Sequence, residues 1–258
     1  MCTIAILIEV VANAPIVIAA NRDELYARPT RPPERLRSGP HPIVGGVDVL
    51  SGGTWLAIRS DGRFAAVTNQ RVLAAPAVGL RSRGLAVLEL AAAPDPDAYV
   101  AAIDPAVYAS MNLVWRGNRG VTVAYVRNDT RMVEVEDLPR GVHVLCNDRL
   151  DAPGFPRGTR VRTSIETLLD QGATWPALAA QLARTLGDHT RSSLVDTPPS
   201  QLAPPLARAL TAACIHSEHY GTRSATIAAF ARDRVIDYLH ADGPPCVTPF
   251  TDRGSLIG

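Results

Sequence analysis

The chain has 258 residues, 47% of them hydrophobic and 20% charged, which supplies a buried core and excludes a disordered polymer. Its 26 basic and 25 acidic residues leave a net charge of +1, without the basic excess of a dedicated nucleic-acid binder. Every basic residue is arginine, so Schiff-base and P-loop lysine chemistry are excluded as well.

Thr3 to Val11 and Pro15 to Ala20 are apolar, β-branched runs around Ala12-Asn13-Ala14, which predicts a hairpin. Asn21 to Glu24 follows the second run. Residues 28–42 hold five prolines and predict an irregular loop or extended segment. Thr54 to Arg59 and Arg63 to Asn69 predict a strand pair turned by Ser60-Asp61-Gly62. Helices are predicted over 85–93 and 96–103, the latter with Asp95 as N-cap and Pro96 at the first position. Strands are predicted over 111–115, 121–126, 132–136 and 141–146. Further helices cover 160–169, 175–186 and 205–213, and a last hairpin joins 224–230 to 234–240. Strands in sequential pairs with helices between them indicate an α+β protein of antiparallel sheet, here taken as one domain over 1–258.

The apolar start lacks a preceding basic residue and is broken by Glu9, unlike a secretory signal. No run approaches the roughly 20 apolar residues of a membrane span. A cytoplasmic protein without a membrane span is expected. Cys2, Cys146, Cys214 and Cys246 lie far apart, with no C-x-x-C pair and no metal-ligand spacing to histidine, so free thiols are expected, with no metal and no cofactor. The expected partner is a small-molecule substrate or ligand, not nucleic acid. Nothing in the sequence sets an oligomeric state.

Cys2 is the most informative residue for chemistry. Methionine aminopeptidase removes Met1 before a small side chain, and the mature chain would then carry a thiol and an α-amine on one residue. That amine has an ordinary pKa of about 7.7–8.0 and can act as the base for its own nucleophile. An antiparallel hairpin brings the end of its second strand beside the start of its first, so Asn21-Arg22-Asp23-Glu24 falls next to Cys2. Asp23 or Glu24 could hold the ammonium; Arg22 could depress the thiol pKa or bind an anionic group. Asn69, in Thr68-Asn69-Gln70-Arg71, and Asn147, in Cys146-Asn147-Asp148-Arg149, end strands where an amide could donate to an oxyanion. Tyr220-Gly221-Thr222-Arg223-Ser224 enters the last hairpin and could carry substrate contacts. Each cluster alone is also an ordinary buried cysteine, turn or solvated loop.

Met-Cys-Thr, Asn-Arg-Asp-Glu, Gly-Gly-Thr-Trp, Thr-Asn-x-Arg, Ser-Arg-Gly, Asn-Asp-x-Leu-Asp-x-Pro and Tyr-Gly-Thr-Arg-Ser occur here in that order. Together they resemble the NRDE family, which includes the eukaryotic transport and Golgi organisation proteins, over residues 2 to about 240. That family is similar to the cysteine N-terminal nucleophile (Ntn) hydrolases, including choloylglycine hydrolase and penicillin V acylase. The resemblance implies a four-layer αββα sandwich of two antiparallel sheets between helical layers. It implies Cys2 as nucleophile, Asp23 as support for the amine, and Asn69 and Asn147 as further catalytic residues. Asn21, Arg22, Glu24, Arg71 and Arg223 are expected to bind substrate.

The chain departs from the pattern in places. Ala20 stands where the acylases carry an arginine three residues before the aspartate. Cys146 replaces a serine, and Pro153-Gly154-Phe155-Pro156-Arg157 replaces Pro-Trp-Pro-Lys. The expected function is an N-terminal-cysteine amidohydrolase or acyltransferase acting on a C–N or thioester bond. The alternative is a non-catalytic haem or acyl-lipid carrier on the same fold, linked through the eukaryotic relatives to haem homeostasis, with His216 and His219 as the nearest ligand pair.

Overall fold

The structure, a computed structural model, describes residues 2–70, 79–193 and 202–258. In chain order the strands and helices are β1 (Cys2–Ile8), β2 (Ile16–Leu25), β3 (Thr30–Arg37), β4 (Ile43–Asp48), β5 (Leu56–Arg59), β6 (Phe64–Asn69), α1 (Arg83–Ala92), α2 (Pro96–Ala101), β7 (Met111–Arg116), β8 (Val121–Arg127), β9 (Met132–Asp137), β10 (Gly141–Leu145), α3 (Pro156–Asp170), α4 (Ala177–Leu186), α5 (Pro204–Ala209), β11 (Tyr220–Phe230), β12 (Val235–Ala241) and β13 (Thr251–Asp252). Two units divide the chain: Met1–Ala27 with Arg140–Ala231 and Ile236–Arg253, and Arg28–Pro139 with Arg232–Val235 and Gly254–Gly258.

The first unit holds a six-stranded sheet in the order β10-β1-β2-β11-β12-β13. One face is set by the two-residue period of its strands. Ala5, Leu7, Val17, Ala19, Val142, Val144, Ile227 and Ala229 belong to one apolar cluster with Val161 and Ile165 of α3 and Leu178, Leu182 and Leu186 of α4. The alternate residues Ile4, Ile6, Ile16 and Ile18 are buried too. Burial on both faces is why β1 and β2 read as continuous apolar runs instead of alternating ones.

The polar tetrapeptide does not follow the second strand, as expected, but lies inside it. β2 is flanked by β1 and β11, and both ladders continue past Ala20. Asn21 pairs with Thr3 and Ala225, Arg22 with Cys2 and Ser224, and Asp23 with Thr222. Two partners hold those polar residues extended where the apolar pattern has already stopped. The register of β11 shifts between Thr222 and Ser224, so Arg223 sits at a bulge.

Gly221 marks a close approach at this end of β11. A Cβ there would run into the Tyr26 hydroxyl and the Ile215 carbonyl oxygen. Gly221→Ala is expected to cost about 2 kcal/mol or more by forced displacement of packed backbone. Denaturant unfolding checks this; a midpoint equal to wild type would show that the contact yields freely.

The second unit is a meander in the order β3-β4-β5-β6-β7-β8-β9. Ala57, Ala65, Val67, Leu113, Trp115 and Ala124 form an apolar cluster with Ala86, Val87 and Leu90 of α1 and Val100 of α2. Asp95 caps α2 as expected, accepting from the backbone N–H groups of Asp97 and Ala98. The proline-rich 28–42 segment takes the extended of its two expected forms, and Thr30–Arg37 is a paired strand instead of an irregular loop. It lies at the sheet edge, and its pairing with β4 skips from Arg31 to Glu34, past Pro32 and Pro33. An edge position and an irregular register are what residues without an N–H donor require. No helix among the described residues is long and apolar enough to cross a membrane.

Candidate active site

The chemistry-bearing residues of the first unit converge at the start of β1. Cys2 is the first residue of that strand and half-buried, directly opposite Arg22. On its other side β1 pairs with β10, with Ile4 opposite Leu145, and Asn147 lies just past the end of that strand. Thr3 and Asn21 are fully buried, and Asp23 and Asn147 are almost so.

The group that joins Cys2, Asp23 and Asn147 is Arg157, in the first turn of α3 and buried to 1% exposure. Its Nη2 donates to Asn147 Oδ1 at 2.7 Å and to the Cys2 carbonyl at 3.4 Å. Its Nη1 donates to the Leu210 carbonyl at 3.2 Å and lies 3.6 Å from Asp23 Oδ2. One guanidinium thus joins the strand carrying the thiol, the strand carrying the carboxylate, and the amide beyond β10. Gly158 lets α3 come this close: a Cβ there would sit 3.3 Å from Cys146 Sγ.

Asp23 is held from the other side as well. The Thr222 hydroxyl donates to its Oδ1 at 2.7 Å, and the Tyr220 hydroxyl donates to its backbone carbonyl at 2.9 Å. Burial pushes the Asp23 carboxyl up to about 6, against the pull of Arg157, the Thr222 hydrogen bond and Arg22. Burial also raises the Cys2 thiol, and the Asp23 charge adds to the rise. The Asp23 backbone N–H, hydrogen-bonded to the sulfur, and the Arg22 guanidinium act the other way. The thiol is therefore protonated at neutral pH.

Arg22 supplies positive charge to that sulfur, and its removal has a readable consequence. Arg22→Gln is expected to slow alkylation of Cys2 about 3- to 10-fold at pH 7.5, with the rate recovering as pH rises. Iodoacetamide kinetics against pH test this. An unchanged profile would mean that the guanidinium, 4.0 Å from Glu24 Oε2, is spent on its carboxylate neighbour.

The remaining expected residues are placed as follows. Asn21 gives both protons of its side-chain amide to backbone, at 2.9 Å to the Leu186 carbonyl and 2.8 Å to the Ala213 carbonyl. Its amide ties α4 and the segment before β11 to the sheet. Glu24 Oε1 accepts from the Leu25 N–H. Arg223 donates to the carbonyls of Leu25 and Tyr26, at 3.1 and 2.5 Å. Asn69 ends β6 in the seven-stranded sheet, opposite Met111, and is exposed. Arg71 lies outside the described residues. His219 is turned to solvent beside Glu218, 3.4 Å away, while His216 points into a separate group of cysteines and histidine.

Arg157 is the residue that sequence reasoning missed. Its signal was the basic side chain, arginine for lysine, at the end of the divergent Pro153–Arg157 stretch. A proline at the start of α3 followed at once by a basic residue is weak evidence in one dimension. Its partners, Cys2, Asp23, Asn147 and Leu210 among them, come from distant parts of the chain.

The chain is similar to known proteins over most of its length. Residues 1–241 match the family described as Transport and Golgi organisation 2. The Transport and Golgi organization protein 2 homolog of Bos taurus is 27% identical over 228 residues, covering 82% of this chain and 80% of that protein. The Homo sapiens homolog is 25% identical over 227 residues with the same coverage. Among solved structures, a mutant conjugated bile acid hydrolase from Clostridium perfringens aligns with a TM-score of 0.60 at 11% identity, covering 100% of this chain and 94% of that one. An N-acylethanolamine-hydrolyzing acid amidase ortholog from Caenorhabditis elegans aligns at 0.52 and 12% identity, covering 88% and 92%. Penicillin V acylase from Agrobacterium tumefaciens aligns at 0.54 and 11% identity, covering 98% and 86%. At these identities the likeness shows the fold: the expected α+β, Ntn-hydrolase-like class, here as two helix-backed antiparallel sheets.

Proposed function

This chain belongs to the Transport and Golgi organisation 2 family, and for it we propose an amidohydrolase or acyltransferase activity with the N-terminal cysteine as nucleophile. The observation that carries the reading is the single buried network joining Cys2, Asp23 and Asn147 through Arg157. The structural neighbours are, by name, hydrolases of conjugated bile acids and N-acylethanolamines and an acylase for penicillin V. A small acylated molecule with a C–N or thioester bond is the substrate class proposed.

Removal of Met1 places a primary amine on the residue that carries the thiol. The neutral amine takes the thiol proton, and the sulfur attacks the acyl carbon. The tetrahedral oxyanion collapses, the acyl–nitrogen (or acyl–sulfur) bond breaks, and the new ammonium returns its proton to the leaving group. Water, or an acceptor nucleophile in a transferase, then gives a proton to the amine and attacks the thioester. Cys2 is released and the acyl group leaves as acid or new ester or amide.

Asn147 has its Oδ1 engaged by Arg157, which makes its Nδ2 the oxyanion donor in this scheme. Asp23 orients the amine and offsets the positive charge that it gains. A raised thiol pKa suits this division of labour, since proton transfer to the adjacent amine, and not standing thiolate, generates the nucleophile. Intact-mass measurement of the purified protein tests the premise. The expected mass lacks Met1, and an acylating β-lactone probe adds to Cys2. A retained methionine would refute the scheme, because the amine would then sit one residue from its thiol.

A further inference from the structure

A second group of reactive side chains lies in the first unit and plays no part in the proposed chemistry. One ligand atom each of His189, Cys214, His216 and Cys246 can be chosen so that all four lie within 4.8 Å of one another. We propose that these residues form a divalent-metal site of zinc type, closed by four protein ligands and structural in role.

The distances argue for this. Cys214 Sγ is 3.6 Å from Cys246 Sγ and 3.6 Å from His216 Nε2, and His216 Nε2 is 3.3 Å from Cys246 Sγ. A tetrahedral zinc with bonds of about 2.3 Å to sulfur and about 2.0–2.1 Å to nitrogen has S–S edges of about 3.8 Å and S–N edges of about 3.6 Å. The three separations match those edges closely. They do not match a disulfide, whose sulfurs bond at about 2.05 Å. His189 donates from Nδ1 to the Cys214 carbonyl at 3.2 Å, the sort of backbone contact that orients a ligating imidazole. Its ring centroid lies 5.0 Å from that of His216.

The ligand chemistry is equally suitable. Two thiols and two imidazoles are the borderline-soft set that zinc prefers over magnesium or calcium. Binding releases two thiol protons and leaves a neutral centre from two thiolates and one dication.

Placement gives the site a task. His189 follows α4, Cys214 and His216 precede β11, and Cys246 follows β12. One ion would tie three loops together. The middle loop is the one that holds the candidate active site. Ala213 accepts from Asn21, and the Ile215 N–H donates at 2.9 Å to the Thr222 hydroxyl that binds Asp23. A metal on Cys214 and His216 therefore fixes the segment from which Asp23 is oriented.

The test uses the full chain kept reduced. After loading with Zn²⁺ and desalting, one zinc per chain is expected by elemental analysis. Loading with Co²⁺ instead is expected to give the intense visible bands of tetrahedral cobalt with thiolate-to-cobalt charge transfer. His189→Ala, at an exposed position, and Cys246→Ser are each expected to weaken Zn²⁺ binding at least about tenfold in chelator competition. If Cys246→Ser fails to fold, the wild-type cobalt spectrum and His189→Ala still decide. Substoichiometric zinc, an octahedral cobalt spectrum, affinity unchanged in His189→Ala, or a Cys214–Cys246 disulfide in the reduced preparation would each overturn the proposal.

Discussion

Replacing Cys2 by serine is expected to reduce β-lactone labelling and amide turnover by at least about 10³-fold, the scale at which loss of a nucleophile is felt. Serine keeps the size, the position opposite Arg22 and the α-amine, so little but the sulfur changes. The informative companion is a chain with an uncleaved N-terminal extension. It keeps the thiol and loses the adjacent amine. Alkylation by iodoacetamide is then expected to persist while acyl transfer falls as far as in Cys2→Ser. The two readouts separate because alkylation needs only the thiolate that solvent supplies, whereas acyl transfer also needs the amine to return a proton to the leaving group. If the extended chain turned over substrate at the wild-type rate, the amine would have no role, and the site would be an ordinary cysteine site with its base elsewhere.

The fold was largely legible because its strands are long apolar runs separated by strong turns. Ser60-Asp61-Gly62 between β5 and β6, and the Asp95–Pro96 start of α2, need only local chemistry to be read. Local chemistry misled where neighbours decide the outcome. Pro32 and Pro33 argue against a strand in isolation, yet an edge place and a skipped register accommodate both. Asn21 to Glu24 look like the end of a strand, yet two flanking strands carry β2 through to Leu25.

The same divide separates the two sites. The meeting of Cys2 with Arg22 follows from hairpin geometry, so a sequence reader can derive it. Arg157 cannot be derived that way, since it reaches the site from α3 across more than a hundred residues of chain. Nor can the four thiol and imidazole positions be paired by spacing, with His189 and Cys214 separated by 25 positions and His216 and Cys246 by 30. Motif arithmetic looks for short intervals, and a site assembled from three loops has none. Asn21 shows the converse. It lies in the most legible motif of the chain, yet its amide is committed to two carbonyls of the scaffold.

Arg157→Met is expected to cost about 3–5 kcal/mol of stability at pH 8, because it removes the cation from a buried ion pair and leaves the carboxylate behind. The pH dependence distinguishes that cause from lost packing. Asp23 has a folded pKa of about 6, above its ordinary 3.8. The folded state thus binds this proton more tightly than the unfolded state does. The stabilisation from that proton is complete below about pH 4 and is lost as pH rises through about 6. Arg157 lowers the Asp23 pKa, so its removal moves the folded value higher still. At pH 5 the variant's Asp23 is neutral and needs no cation; at pH 8 it must ionise without the Arg157 charge or hold its proton against solvent. The deficit relative to wild type should therefore be clearly smaller at pH 5 than at pH 8 in denaturant unfolding. Arg157→Lys should recover part of this pH dependence through its charge. It should not recover β-lactone labelling, because an ammonium cannot span Asn147 Oδ1, the Cys2 carbonyl and the Leu210 carbonyl as the guanidinium does. A deficit equal at both pH values would reduce Arg157 to a packing element and leave Asp23 without the electrostatic partner on which its role depends.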